Sequence, residues 1–172
     1  MVDKKELNVK LRKSAIESGL CDDWQKMWEK DWSLDKMVER FYQGIDFFLE
    51  KRFMSNQFIK DNFDKDFRRK NGVLVDDKYS LLNPEHAILI GESVSTIRYN
   101  GTNCATIYIT DQSSAKVIAK NMSFVLIHIL GNAKVECQQE HNAKVVAILH
   151  SHEASVVSDG NATIREEYNY LK

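Results

Sequence analysis

The sequence predicts an α+β protein with an α-helical head, residues 1–71, followed by a short β-solenoid with a C-terminal cap, residues 72–172. Two observations predict these parts. Apolar residues recur at spacings of three and four up to about residue 70, which is typical of helices. From Ala87 to Ile164 a small residue, any residue and an aliphatic residue recur nine times, which is typical of stacked coils. The turn dipeptide Asn71-Gly72 marks the boundary.

The head contains one strongly periodic helix. Ser33 precedes it and can accept hydrogen bonds from its free N–H groups, while Asp35 complements the helix dipole. A further short helix is predicted to begin at Ser55. The apolar face of the periodic helix comprises Leu34, Met37, Val38, Phe41, Ile45, Phe48 and Leu49.

The nine copies of the repeat fall into two interleaved series. One series begins at residues 87, 105, 123, 143 and 162, and the other at residues 95, 115, 133 and 154. Within each series the steps are 18 to 21 residues, so the chain is predicted to form two strands per coil in a parallel β-helix.

Strand alternation separates inward from outward residues. Ala105, Ile107 and Ile109 are predicted to face the interior, and the residues between them to face outward. An apolar outward face of this size needs a cover, either the chain's own head or a second copy. The last residues, 165–171, are predicted to cap the final coil. The predicted interaction face comprises Ile88, Ile90, Tyr108, Phe124, Leu126 and Val146, four of them (Ile90, Tyr108, Leu126 and Val146) in one column.

Three histidines are the best candidates for chemistry. His128, His150 and His152 follow strands of the same series and are predicted to share one rim, where they could bind a metal ion together with Glu153. Exposed turn histidines are more common, so no metal, cofactor or catalytic residue is predicted. Cys137 is predicted to face inward as a structural thiol.

Composition favours an ordinary globular protein. The 172 residues carry 24 Lys and Arg against 25 Asp and Glu, which gives no global signature of a nucleic-acid binder. Two basic clusters, at residues 4–13 and 65–70, keep nucleic acid as a weaker alternative, although acidic neighbours dilute both. With no apolar leader in residues 1–13 and no long apolar stretch, we expect a cytoplasmic protein without membrane association.

Several short stretches resemble a family of uncharacterised bacterial proteins that are often prophage or mobile-element cargo in gut-type genomes. The resemblance covers most of the chain and implies a helical head with Asn-Ala-x-Val coils; it brings no catalytic residues. The stretches are Cys21-Asp22-Asp23-Trp24, Phe47-Phe48, Phe58-Ile59-Lys60, Asn62-Phe63, Asn132-Ala133-Lys134-Val135 and Asn142-Ala143-Lys144-Val145.

The expected function is a non-enzymatic protein-binding or scaffolding module, since the outer face of a solenoid is rigid and regular. One alternative is an enzyme acting on a small molecule or carbohydrate in an outer groove. The mixed outward face offers only Arg98, Lys116, Lys134 and Glu136, which do not form the carboxylate pair that glycoside hydrolysis needs. The other alternative is a nucleic-acid-associated protein acting through the basic head.

Overall fold

A computed structural model describes residues 3–171 and confirms the α+β fold with helices at the N-terminus. Contacts divide the chain into two compact units between Phe63 and Asp64, so the last helix groups with the strands. The sequence placed the boundary after Asn71. The helices within the described residues are α1 (Lys4–Glu17), α2 (Asp22–Met27), α3 (Leu34–Gln43), α4 (Ile45–Lys51), α5 (Asn56–Asn62) and α6 (Lys65–Lys70).

Side-chain caps start the helices where the sequence predicts. The Ser33 hydroxyl accepts a hydrogen bond from the Lys36 N–H at 3.2 Å, and the Ser55 hydroxyl accepts one from the Phe58 N–H at 3.1 Å. Each cap satisfies one of the N–H groups that the first helical turn leaves without a partner.

Eleven strands are present in residues 3–171, and all of their pairings are parallel. Odd-numbered strands form sheet A and even-numbered strands form sheet B, each in chain order. Two strands per coil in two parallel sheets confirm the predicted β-helix. The strands are β1 (Val73–Val75), β2 (Leu81–Leu82), β3 (His86–Ile90), β4 (Val94–Tyr99), β5 (Cys104–Ile109), β6 (Ser114–Ala119), β7 (Phe124–Ile129), β8 (Lys134–Gln139), β9 (Lys144–Leu149), β10 (Ser155–Ser158) and β11 (Thr163–Glu166).

The coils are more regular than the predicted steps of 18 to 21. Paired Cα atoms lie twenty residues apart through the central coils, as in Val94 with Ser114 and Cys104 with Phe124. The predicted alignment was wrong by two residues where it placed Ser123 beside Ala105, because Ala105 pairs with Val125. Positions 123 and 125 both face inward, and each holds a small or an aliphatic residue. The three-residue repeat can therefore be matched at either position.

Left-handed residues at the corners show the true period of ten residues. Each corner must turn the chain sharply, and Gly, Asn and Asp tolerate the positive φ that this requires. Five of the six corner residues are of these types, and the sixth is His141. The residues are Gly91, Gly101, Asp111, Asn121, Gly131 and His141.

Corner side chains also join successive coils. The Asp111 carboxylate accepts a hydrogen bond from the Gly91 N–H at 2.8 Å. Two coils later the Ser151 hydroxyl accepts from the Gly131 N–H at 2.7 Å. These bonds satisfy backbone groups that the strands themselves leave without a partner.

The solenoid interior is a single apolar cluster. In the central coils the predicted inward residues, among them Ala105, Ile107 and Ile109, are buried in it. Cys137 also lies there, as predicted, and burial raises the pKa of its thiol to about 12. The thiol is therefore protonated and structural at neutral pH.

Helix α6 and the first coil are joined by one nearly buried carboxylate. Arg69 donates two hydrogen bonds to Asp77, at 2.8 and 2.9 Å, and Lys65 Nζ lies 3.3 Å from the same carboxylate. These partners, the hydrogen bonds from Arg69 foremost, lower the pKa of Asp77 to about 2. The Arg69 guanidinium also lies 4.4 Å from the centre of the Tyr79 ring.

We predict that Gly72→Ala destabilises the solenoid more than Gly160→Ala. Both residues have positive φ, so alanine is strained at either position. At Gly72 the new Cβ would also clash with the His86 carbonyl and lie 3.1 Å from Ala87 Cα, whereas at Gly160 nothing lies within 4 Å. Chemical denaturation should show a loss of about 1 kcal/mol for Gly160→Ala and about 3 kcal/mol for Gly72→Ala. Equal losses would contradict the close approach at Gly72.

We also predict that Asp77→Asn lowers the free energy of unfolding by about 1–2 kcal/mol at neutral pH. Because folding lowers the pKa of Asp77, its contribution is complete above about pH 4 and disappears as the pH falls towards about 2. Urea denaturation at several pH values should show the two proteins converging in acid. The exposed Glu92, substituted to Gln, is the control and should show no such convergence. A difference that is independent of pH would contradict this prediction.

Candidate functional site on the outer face of sheet A

The outward side chains of β3, β5, β7 and β9 form the outer face of sheet A, which holds the six predicted interaction residues and His128. The predicted single column of Ile90, Tyr108, Leu126 and Val146 is wrong. Leu126 pairs with Val146, whereas Tyr108 pairs with Ile88 and His128. The two-residue alignment error kept every residue on its correct face, because side chains alternate with a period of two, but moved it between columns.

The half of this face nearer the C-terminal ends of the strands is buried within one copy of the chain, and we call it the buried half. Ile88 and Ile90 have no exposed surface, and Tyr108 is 8% exposed. None of these three belongs to the interior cluster of the solenoid, so they are covered from outside the coil. A partner on sheet A therefore has access chiefly to the other half.

The half nearer the strand starts, which we call the exposed half, offers apolar side chains to solvent. Phe124 is 39% exposed, and Met122, in the corner before it, is 68% exposed. Leu126 and Val146 are half-buried beside them. Lys144 is the Cα partner of Phe124 and is exposed, so one positive charge flanks the apolar group.

Stacked rings form a His–Tyr stack at the buried half, comprising Tyr108, His128, His150 and Tyr170. The rings of Tyr108 and His128 lie 4.8 Å apart, and those of His150 and Tyr170 lie 4.1 Å apart. His128 Nδ1 lies 2.8 Å from His150 Nε2, and His150 Nδ1 lies 2.8 Å from the Glu167 carbonyl oxygen. The stack therefore holds the segment after β11 against sheet A.

The carbonyl of Glu167 sets the direction of this chain of hydrogen bonds. A carbonyl oxygen only accepts, so His150 Nδ1 carries a proton and donates it. In the neutral ring His150 Nε2 is then an acceptor, and the donor to it is His128 Nδ1. Both neutral histidines are therefore Nδ1–H tautomers.

The three histidines proposed as metal candidates do not form one cluster. His128 and His150 are 8% and 9% exposed rather than exposed in turns, because Tyr108 and Tyr170 stack on them. His152 packs against Tyr168 instead, with the ring centres 3.9 Å apart and the ring planes tilted by 31°. Across residues 3–171 no group of three or more His, Cys, Asp or Glu side chains is arranged to hold a metal ion.

Sequence reasoning missed Tyr168 and Tyr170 as partners of the histidines. It assigned residues 165–171 to a cap over the last coil, whereas these two rings stack at the corner after β9. The spacing held a signal, because the two histidines are two residues apart and so are the two tyrosines. The first histidine packs against the second tyrosine, and the second histidine against the first. Proximity of the two segments becomes apparent only when β11 is placed beside β9.

The outer face of sheet B and the corner that follows it carry ion pairs between coils. Lys116 Nζ lies 2.7 Å from Glu136, and Lys120 Nζ lies 2.8 Å from Glu140. Lysines thus hold both carboxylates, an arrangement typical of a stabilising ladder. Cys104, at the start of β5, is exposed and forms no disulfide.

Comparisons with protein-family models, curated proteins and solved structures found no match to this chain. In the part of the chain that the structure describes, no helix is long and apolar enough to cross a membrane.

We predict that long-range ¹H–¹⁵N NMR spectra at about pH 8, where histidine is mainly neutral, show His128 and His150 as Nδ1–H tautomers. His141, whose side chain is exposed, is the control and should show averaged signals. His150→Phe keeps a ring for stacking but removes the acceptor of the His128 Nδ1–H group, so the His128 Nδ1 signal should shift. An Nε2–H tautomer at either buried ring of the wild type would contradict the assigned direction.

Proposed function

We propose that this chain is a non-enzymatic protein-binding module and that the exposed half of sheet A is its binding surface. The observation that carries the proposal is the exposed group of Met122 and Phe124 beside Leu126 and Val146, on a sheet that the coils hold rigid. Exposed aromatic side chains in a contiguous apolar group are typical anchors of protein interfaces.

The positive charge beside this apolar group indicates which charge the partner should carry. Lys144 flanks Phe124, so the fitting partner is a protein segment with an apolar side chain for the Phe124 group and a carboxylate for Lys144. We place this binding in the cytoplasm, where the exposed Cys21 and Cys104, which form no disulfide, stay reduced.

The two alternative functions have less support. For carbohydrate chemistry, the sheet B carboxylates Glu136 and Glu140 are already paired with lysines. For nucleic-acid binding, Lys10 pairs with Glu6 at 2.7 Å, and Arg69 binds Asp77. Cations already held by carboxylates contribute less to phosphate binding.

Photo-crosslinking in the cells that produce the chain tests this proposal. A photoreactive amino acid at position 124 should capture a distinct protein, whereas the same residue at position 116, on sheet B, should not. Lys144→Glu should reduce the adduct, because it replaces the attraction to a partner carboxylate with repulsion. Equal capture at both positions, or capture of this chain alone at position 124, would overturn the proposal.

A further inference from the structure

The last coil of the solenoid leaves interior side chains uncovered. Ile164 pairs with Ala147, whose side chain is fully buried inside, yet Ile164 is 46% exposed. On the other sheet Val156 pairs with the buried Val135 and is itself only half-buried. The apolar interior therefore reaches solvent at the C-terminal end of the coils.

The edge of sheet B at this end is suited to pairing with another strand. Ser155 and Asp159 donate backbone hydrogen bonds to Ala133 and Cys137 of the preceding coil. In a parallel ladder, successive residues donate their N–H groups to opposite sides of the strand. Because Ser155 and Asp159 donate towards β8, the N–H groups of Val156 and Ser158 face away from it. Strand β10, Ser155–Ser158, contains neither a charge nor a proline, and Val157 is 68% exposed. These are the features that protected edges avoid.

The segment after β11 does not cover this end. Tyr168 and Tyr170 stack on His152 and His150, at the corner that follows β9. All four residues of β11 remain exposed.

The opposite end of sheet A is closed. All three residues of β1 are buried, and helix α6 packs against that strand. On sheet B the first strand, β2, has only two residues. Stacking the C-terminal end of one copy onto the N-terminal end of the next is therefore obstructed at sheet A, which favours contact between two C-terminal ends.

We propose that β10 and β11 form a self-association surface at which two copies of this chain pair their C-terminal ends in an antiparallel, twofold-symmetric dimer. An axis perpendicular to the sheets that passes beside Ile164 places this residue opposite Ile164 of the second copy and extends the interior across the junction. Thr163 then lies opposite Arg165 of the second copy, so like charges do not face each other. Each copy has one C-terminal end, and the contact occupies it. No third copy can then add at this surface, so association stops at the dimer.

This inference concerns a different surface from the exposed half of sheet A and is independent of the proposed function. Sedimentation velocity across a wide range of protein concentrations should show a monomer–dimer equilibrium with no larger species. Ile164→Glu should raise the dimer dissociation constant by at least about tenfold, because it places two carboxylates in the apolar junction. Val157→Lys should weaken the dimer at the sheet B edge.

Leu82→Lys is the matched control, since Leu82 is 72% exposed at the other end of sheet B and should leave the dimer intact. Circular dichroism checks that each variant folds. In a background with Cys21 and Cys104 replaced by Ser, Ile164→Cys should form a disulfide between copies, as expected for a residue directly beside the twofold axis. A monomer at every concentration, a continuous series of larger species, or a dimer unaffected by Ile164→Glu would each overturn the proposal.

Discussion

The rest of the solenoid depends on closing each coil in twenty residues around an interior only a few side chains wide. Two strands of parallel sheet and two corners must fit into that length, and the corners repeat a left-handed residue every ten residues from Gly91 to His141. Once this period is kept, each inward side chain lies on its equivalent in the coil below, as Ile107 lies on Ile127. Backbone pairing and apolar burial then stabilise the same register, which is why the central coils have no insertion.

The sequence predicts the composition of each face better than the positions within it. Alternation correctly assigned the inward residues, and the Ser33 and Ser55 caps followed from local chemistry. Register was harder, because Ser113 and Ala115 are both small and inward, so a motif search can match either. The corner residues Asp111 and Asn121, which carry the true period, differ in type and were not recognised as equivalent.

The His–Tyr stack was beyond sequence reasoning for a different reason. His128 lies inside a strand, and its burial depends on rings from β5 and from the segment after β11. Such contacts form between residues distant in sequence, and the spacing of the histidines and tyrosines does not by itself show that their segments are neighbours. The same tertiary arrangement divides sheet A into a buried half and an exposed half, and leaves the last coil open. The two proposed contacts of this chain, with a protein partner and with its own copy, therefore use different parts of one rigid scaffold.

The twenty-residue register can be measured with one native thiol. Cys104 and Phe124 are Cα partners in neighbouring parallel strands, which lie about 4.8 Å apart, within the range that a disulfide spans. In a Cys21→Ser background, we predict that Phe124→Cys forms an intramolecular disulfide with Cys104 under mild oxidation, as detected by peptide mapping. Met122→Cys should not, although an eighteen-residue step would place position 122 beside Cys104. Efficient cross-linking at position 122 and none at position 124 would contradict the register on which this account depends.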